Sequence, residues 1–324
     1  MAGIAVTLLS DRLQSARPMS YPLLSDLIRD VTGWDLPLPV PMFGLLVATA
    51  LLTAMWITEH ELRREYRAGR VGPAHRRAKA SDGTMSQVDV PPQELVTGLA
   101  VCMVAFGIVG ARIFHLLEYP AAFVADPWGM IFTRSGFTIY GGLIFGLIAG
   151  ALYAKRQGLS VPALADALAP ALMIGYAIGR IGCQVSGDGD WGIAADLSLK
   201  PSWLPTWFWA QTYEHNIAGV LIQPPGVYPA PIYETLMGLV GFGVLWSVRK
   251  HSFRAGWLFA LFMVLSGIER FLIEQIRVNS TIDVLGLAAT QAEIVAVLFV
   301  IVGMAGLVIL GKRSRAALPA GPND

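Results

Sequence analysis

Seven stretches of this chain stay apolar for longer than a soluble core element needs: 42–58, 94–118, 138–154, 164–183, 230–248, 256–276 and 291–311. A helix must run roughly 17–25 mostly apolar residues to cross the hydrocarbon layer of a bilayer. The pattern therefore predicts an all-α, polytopic transmembrane bundle of about seven helices. A transmembrane domain over 42–311 lies between an N-terminal segment (1–41) and a short basic tail (312–324). No tandem soluble domain fits between the spans. The first 35 residues lack a basic start, one long apolar core and a small-residue cleavage site. They are expected to form an amphipathic or irregular outer segment, not a cleaved signal.

The basic residues orient the bundle. With the N-terminus outside, the inner segments 59–93, 155–160, 249–255 and 312–324 hold 15 Lys and Arg, against 6 in the outer segments. Cytoplasmic loops are the ones enriched in Lys and Arg, so the topology is expected to be N-out, C-in. The loop 59–93 is then a basic, polar, mobile cytoplasmic insertion that fixes topology and touches anionic headgroups. The stretch 184–229, rich in Trp and Pro, is expected to form a small head on the outer leaflet, since Trp and Tyr favour the membrane–water interface.

Composition agrees with lipid as the solvent. Charged residues make up 15% of the chain, against about 25% in a soluble domain, and mean hydropathy is +0.55. The net charge of +1 comes with no basic stripe, so nucleic acid is not an expected partner. Cys102 and Cys183 form no CxxC pair and no disulfide framework. The 34 glycines suit close helix packing in lipid.

Three arginines, Arg112, Arg180 and Arg270, fall inside predicted spans. An arginine at mid-bilayer costs about 2.5–3.5 kcal/mol on insertion scales, so such residues face the bundle interior and find a partner. Arg270, Glu274 and Arg277 in GIERFLIEQIRVN are spaced to share one helix face, with Glu274 able to neutralise either arginine and Glu269 pointing elsewhere. A structural ion-pair stripe is the competing reading. Arg180 lies at the outer end of its span in GYAIGRIGCQVSGDGDWG, where glycines admit a neighbouring backbone or a lipid. The competing reading there is a capped helix end with Asp188 and Asp190 as turn formers. A calcium loop is excluded by its missing ligand spacing and closing Glu. A rhomboid-type serine protease is excluded by the sequence QVSG and the absence of a matching late histidine. Tyr140 precedes Gly141 and Gly142 in TIYGGLIFG, Tyr233 and Glu234 open a helix in PAPIYETL, and Arg112 shares a face with His115. His115 by itself reads as a packed histidine, and Tyr140 by itself as an interfacial aromatic. Given the orientation, all these groups gather near one depth. Two or three arginines without enough carboxylates are best matched by an anionic phospholipid headgroup, through paired, charge-assisted hydrogen bonds.

Taken together, PMFGLLVATA, GARIFHLLEY, FTIYGGLIFG, GYAIGRIGCQVSGDGDWG, YPAPIYE and RFLIEQIR resemble, in order over about residues 36–311, the prolipoprotein diacylglyceryl transferases. The resemblance implies a membrane enzyme of the bacterial inner membrane with its site toward the periplasm. Such an enzyme moves the diacylglyceryl group of phosphatidylglycerol to the lipobox cysteine of a prolipoprotein signal peptide, forming a thioether and releasing glycerol phosphate. It implies no metal and no soluble cofactor. Arg180 matches the arginine of the GR motif, and Arg270 the first arginine of RFxxExxR. Both are expected to hold the headgroup phosphate and offset charge as it develops, with Glu274 and Arg277 orienting Arg270. Asp188 stands where the family commonly has Glu, Gly187 and Gly192 match the flanking glycines, and Tyr233 and Glu234 match the YE of the HPxQxYE block. Three positions depart from the family. Tyr140 replaces the histidine of HGG and, being a poor base at neutral pH, is left with hydrogen-bond donation. Cys183 replaces the asparagine of GRIGN. Phe43 replaces a common Tyr. With Arg112 completing the binding set, the transferase stands against two alternatives. One is a non-catalytic or differently specific phospholipid- or lipoprotein-binding protein, which would fail to rescue a transferase-depleted strain. The other is a small-solute transporter, which would need internal repeats that this sequence lacks.

Overall fold

A computed structural model describes residues 20–37, 39–79, 85–133, 136, 138–279, 281–284 and 287–312. In chain order its helices and strands are α1 (Leu24–Thr32), α2 (Met42–Arg67), β1 (Ala74–Lys79), β2 (Met85–Val90), α3 (Val96–Glu118), α4 (Pro120–Ala125), α5 (Pro127–Phe132), α6 (Ile139–Arg156), α7 (Val161–Ser186), α8 (Thr206–Trp209), α9 (Ala230–Val248), α10 (Trp257–Glu274), β3 (Thr281–Val284), β4 (Leu287–Thr290) and α11 (Gln291–Leu310). The seven apolar segments coincide with α2, α3, α6, α7, α9, α10 and α11. Five helical stretches, Met42–Arg67, Pro92–Glu118, Val161–Ser186, Ala230–Val248 and Gln291–Leu310, are long and apolar enough to cross a membrane. Large apolar side chains stand outward on them, including Leu52, Val101, Val240 and Val308 at 65–74% exposure. Water would penalise such surfaces, while lipid tails cover them without cost.

The chain divides into two compact units, with boundaries inside α2 and α7. The first holds Met1–Ala54, Ala169–His251 and Trp257–Gly311. Its apolar centre is Ala169 and Met173 of α7, Leu245 of α9 and Leu258 of α10. α10 meets α11 where Gly267 faces bare backbone: a Cβ there would lie 2.6 Å from the Ala296 carbonyl oxygen. Small residues permit that approach and the dispersion contacts that come with it. Gly33, at φ 75°, ends α1.

The second unit holds Met55–Leu168, Ser252–Gly256 and the C-terminal segment. Its core gathers Leu62, Val71, Val90, Leu95, Leu99, Ala154, Leu159 and Leu164. α3 and α6 pack through Gly110 and Gly141, where a Cβ on Gly110 would sit 2.5 Å from the Gly141 carbonyl oxygen.

Two local features differ from the sequence reading. The loop 59–93, expected to be a basic, polar, mobile insertion, begins with a continuation of α2 to Arg67 and carries an antiparallel pairing of β1 with β2. AHRRAK does not alternate apolar with polar residues and MSQVDV does so only over its last four, so the pairing left little period-2 signal. α10 ends at Glu274, and Arg277 lies past a turn, bridged to Gly192, rather than on the helix stripe.

Candidate functional site

The C-terminal end of α7 supplies Arg180, Cys183 and Gln184, and the chain then turns sharply. Gly187 and Gly189 take φ of 62° and 101°, a left-handed backbone that side chains other than glycine rarely adopt. Asp188 closes the turn by accepting from the Asp190 N–H at 3.2 Å. Gly192 then lies flat against the segment after α10. Its N–H donates to the Tyr228 carbonyl at 2.8 Å, and the next residue, Ile193, donates to the Ile276 carbonyl at 2.7 Å. This backbone lacing carries Asp190 to Arg277.

Four carboxylates and three guanidiniums of the first unit meet there. Asp190 contacts Arg180 through Oδ2 and Arg277 through Oδ1, the latter at 2.6 Å. Glu234, at the start of α9, is 0% exposed. Its Oε2 lies 3.3 Å from Arg180 Nε, and its Oε1 lies 3.7 Å from Arg277 and 3.8 Å from Arg270. Glu274 pairs with Arg270 at 2.8 Å and accepts from Asn279 at 2.6 Å. Tyr176, one helical turn before Arg180, sets its hydroxyl oxygen 2.7 Å from Glu269 and 3.1 Å from Glu234. Its ring lies 5.2 Å below the Arg180 guanidinium. Burial alone would raise the Asp190 carboxyl, but Arg277 and then Arg180 outweigh it and hold it below the usual carboxylate range. Salt bridges this buried persist because every charge has an opposite neighbour.

The structure brings together Arg180, Arg270, Arg277, Glu234 and Glu274 as the sequence expected, and changes four details. Guanidinium does not outnumber carboxylate among the described residues. Arg277 pairs with Asp190 and Glu234, while Glu274 pairs with Arg270. Glu269, read as pointing elsewhere, faces inward to Tyr176. Asp190, a turn former in the competing reading, is the central acid of the loop. Tyr176 carries no role in the sequence reading; a phenol one turn before a buried arginine is the signal that points to it.

The remaining residues hold the frame. Tyr233 donates to the Phe208 carbonyl at 2.7 Å and tilts its ring against Phe208. Within 184–229, Tyr213 donates to Gln184, Gln184 to Gln211 and Gln211 to the Trp207 carbonyl, each at 2.7–2.8 Å. Burial pushes the Tyr213 hydroxyl above its ordinary range. Cys183 is buried, 3.8 Å from Arg180. Its sulfur and the oxygens of Asp188 and Asp190 lie within 4.8 Å of one another. A cation there would compete with Arg180 and Arg277 for Asp190, so the donor set fits a metal poorly. Arg112 and Tyr140 belong to the second unit. Arg112 donates to the carbonyls of Thr133 and Gly136, the latter at 2.9 Å. Tyr140 opens α6, and its side chain lies outside the described residues. His115 and Tyr119 line a cavity of about 460 Å³ with Asp126 and Thr133.

Comparison with known proteins adds the chemistry. A family model described as prolipoprotein diacylglyceryl transferase matches residues 32–309. A phosphatidylglycerol–prolipoprotein diacylglyceryl transferase of Bacillus cereus (strain G9842) is 27% identical over 281 residues, covering 86% of this chain and 91% of the relative. Proteins of the same name from Bacillus thuringiensis subsp. konkukian (strain 97-27) and Bacillus anthracis (strain CDC 684 / NRRL 3495) match at the same identity over the same length.

Proposed function

Because the chain belongs to the prolipoprotein diacylglyceryl transferase family, we propose that it transfers the diacylglyceryl group of phosphatidylglycerol to the lipobox cysteine of prolipoproteins. The thiol loses its proton, and the thiolate attacks the glycerol carbon that bears the phosphate. The S–C bond forms as the C–O bond to phosphate breaks, and glycerol phosphate departs. Negative charge builds on the departing oxygen, and Arg180, Arg270 and Arg277 offset it.

The observation that carries this reading is the convergence of three arginines on the buried Glu234. Each keeps part of its surface open, with side chains 13–28% exposed. Their carboxylate partners hold the guanidiniums in fixed orientations, so a phosphate meets a preorganised set of donors. Glu274 and Asp190 fix Arg270 and Arg277, and Gly187 and Gly192 set the loop that delivers Asp190. The Lys and Arg distribution supports an N-out, C-in multi-pass protein of the bacterial inner membrane, with this site toward the periplasm.

The test is lipidation of a lipobox peptide by the full-length protein in phosphatidylglycerol-containing liposomes. Arg180→Ala and Arg270→Ala are each expected to abolish thioether formation. Full activity in either removes the phosphate clamp. The departures from the family pattern at Tyr140 and Cys183 favour one second reading, a phospholipid or lipoprotein binder without transfer. Bound phosphatidylglycerol without rescue of a transferase-depleted strain would decide for it.

A further inference from the structure

The contact between Tyr176 and two glutamates raises a problem of hydrogen counting. The phenol oxygen lies within hydrogen-bond reach of Glu269 Oε1 at 2.7 Å and Glu234 Oε1 at 3.1 Å. A phenol carries one hydrogen, and an ionised carboxylate carries none. Three oxygens in a row with two short contacts need two hydrogens between them. Tyr176 supplies one. The other must sit on a glutamate.

Which glutamate holds it follows from their surroundings. Glu234 faces Arg180, Arg277 and Arg270 at 3.3–3.8 Å. Glu269 is buried at 8% exposure, and Tyr176 is its one hydrogen-bond partner among the described residues. The charged and titratable groups facing Glu269 are Tyr176 and Arg180 from α7, Glu234 from α9, and Arg270 on its own helix, which is turned to Glu274 and Glu234. The single charged residue of α11, Glu293, bonds to Gln275 and Thr290 instead. The ion belongs on Glu234 and the acid on Glu269, so Glu269 donates to Tyr176 and Tyr176 donates to Glu234.

We propose that Glu269, Tyr176 and Glu234 form a proton relay that neutralises Glu234 when a phosphate enters the arginine cluster. The Glu269 O–H bond breaks as its hydrogen passes to the Tyr176 oxygen, and the Tyr176 hydrogen passes to Glu234. No proton enters or leaves, and no co-reactant is needed. The negative charge moves from Glu234, among the arginines, to Glu269 on the far side of the phenol. The arginines are then released to the phosphate, and the shift reverses when glycerol phosphate leaves. Glu269 and Tyr176 are positioning residues in this scheme. It rests on the reading of the arginines as a phosphate site.

Infrared spectroscopy separates a carboxylic acid from a carboxylate by its C=O stretch, and the full-length protein in phosphate-free detergent micelles can be measured before and after phosphatidylglycerol is added. The wild type is expected to show a buried carboxylic-acid band that Glu269→Gln removes. Bound phosphatidylglycerol should shift that band as the proton moves to Glu234. In Tyr176→Phe the lipid should still bind while the band stays put. A wild-type spectrum with no band sensitive to Glu269→Gln overturns the relay. So does a band that ignores bound lipid, or one that shifts in Tyr176→Phe as in the wild type. These leave the phosphate reading standing. Failure of wild-type protein to bind phosphatidylglycerol at all overturns both, and the lipid-binding measurement reads that separately.

Discussion

An aspartate between two guanidiniums stays strongly acidic only while both are in place. Asp190 is held low by Arg277 and Arg180 against the opposing effect of burial. Its folded-state pKa is below the unfolded value, so its contribution to stability is present above about pH 4 and is lost as pH falls through the folded value. The thermal midpoint of the wild type is therefore expected to drop on acidification below about pH 4 by more than that of Asp190→Asn. Parallel curves for the two would show that Asp190 does not hold the loop. Arg180 makes a different demand. It contacts Asp190 through Nη1 and Glu234 through Nε, two directions that one ammonium cannot serve together. Arg180→Lys keeps the charge and is expected to lower lipidation on the order of ten- to a hundredfold; activity near the wild type would mean that charge alone suffices. These residues were legible in unequal measure. Arginines inside apolar runs are costly enough to stand out, and Arg180 and Arg270 did. Asp190 did not, because SGDGDWG reads equally well as a plain turn. Glu269 was misread because a helix wheel turns it from Arg270, and no single-helix argument includes a phenol on α7.

Helices were legible because seven long apolar runs leave little choice of element. What joins them was not. The β1–β2 pairing lies in a polar segment that alternates over only four residues, and the contact between the loop after α7 and the segment after α10 joins residues more than 80 positions apart. That contact is where an element-scale prediction belongs. A Cβ on Gly192 would lie 2.7 Å from the Ile276 carbonyl oxygen and 3.1 Å from Tyr228 Cβ. Backbone cannot yield there as a side-chain tip can, so Gly192→Ala must part the two segments and draw Asp190 from Arg277. Lipidation is expected to fall at least about tenfold, with overpacking costing about 1–3 kcal/mol of stability. Wild-type activity in Gly192→Ala would show that the lacing does not set the ion pairs. Tyr233→Phe acts on the head in the same way. It removes the bond to the Phe208 carbonyl and is expected to cost about 1 kcal/mol, read as a lowered thermal midpoint.

At the scale of the whole molecule, the site has meaning only on the side of the membrane where its substrates arrive. The outward-facing apolar side chains make this a multi-pass membrane protein. They say nothing of which end faces the cytoplasm, because lipid tails are the same from either side. Direction comes from Lys and Arg: 15 fall in the segments that an N-out chain keeps inside and 6 in those it exports. An N-out chain would put the C-terminal ends of α7 and α10, and with them Arg180, Arg270 and Glu274, toward the periplasm. A fluorescent protein that matures only in the cytoplasm, fused after residue 312, should therefore light up, and an alkaline phosphatase that folds only outside should stay inactive there. Fused in the head, within 184–229, the two reporters should exchange behaviour. An active phosphatase at the C-terminus would turn the arginine cluster to the cytosol, where a lipobox cysteine emerging through the export channel would not meet it.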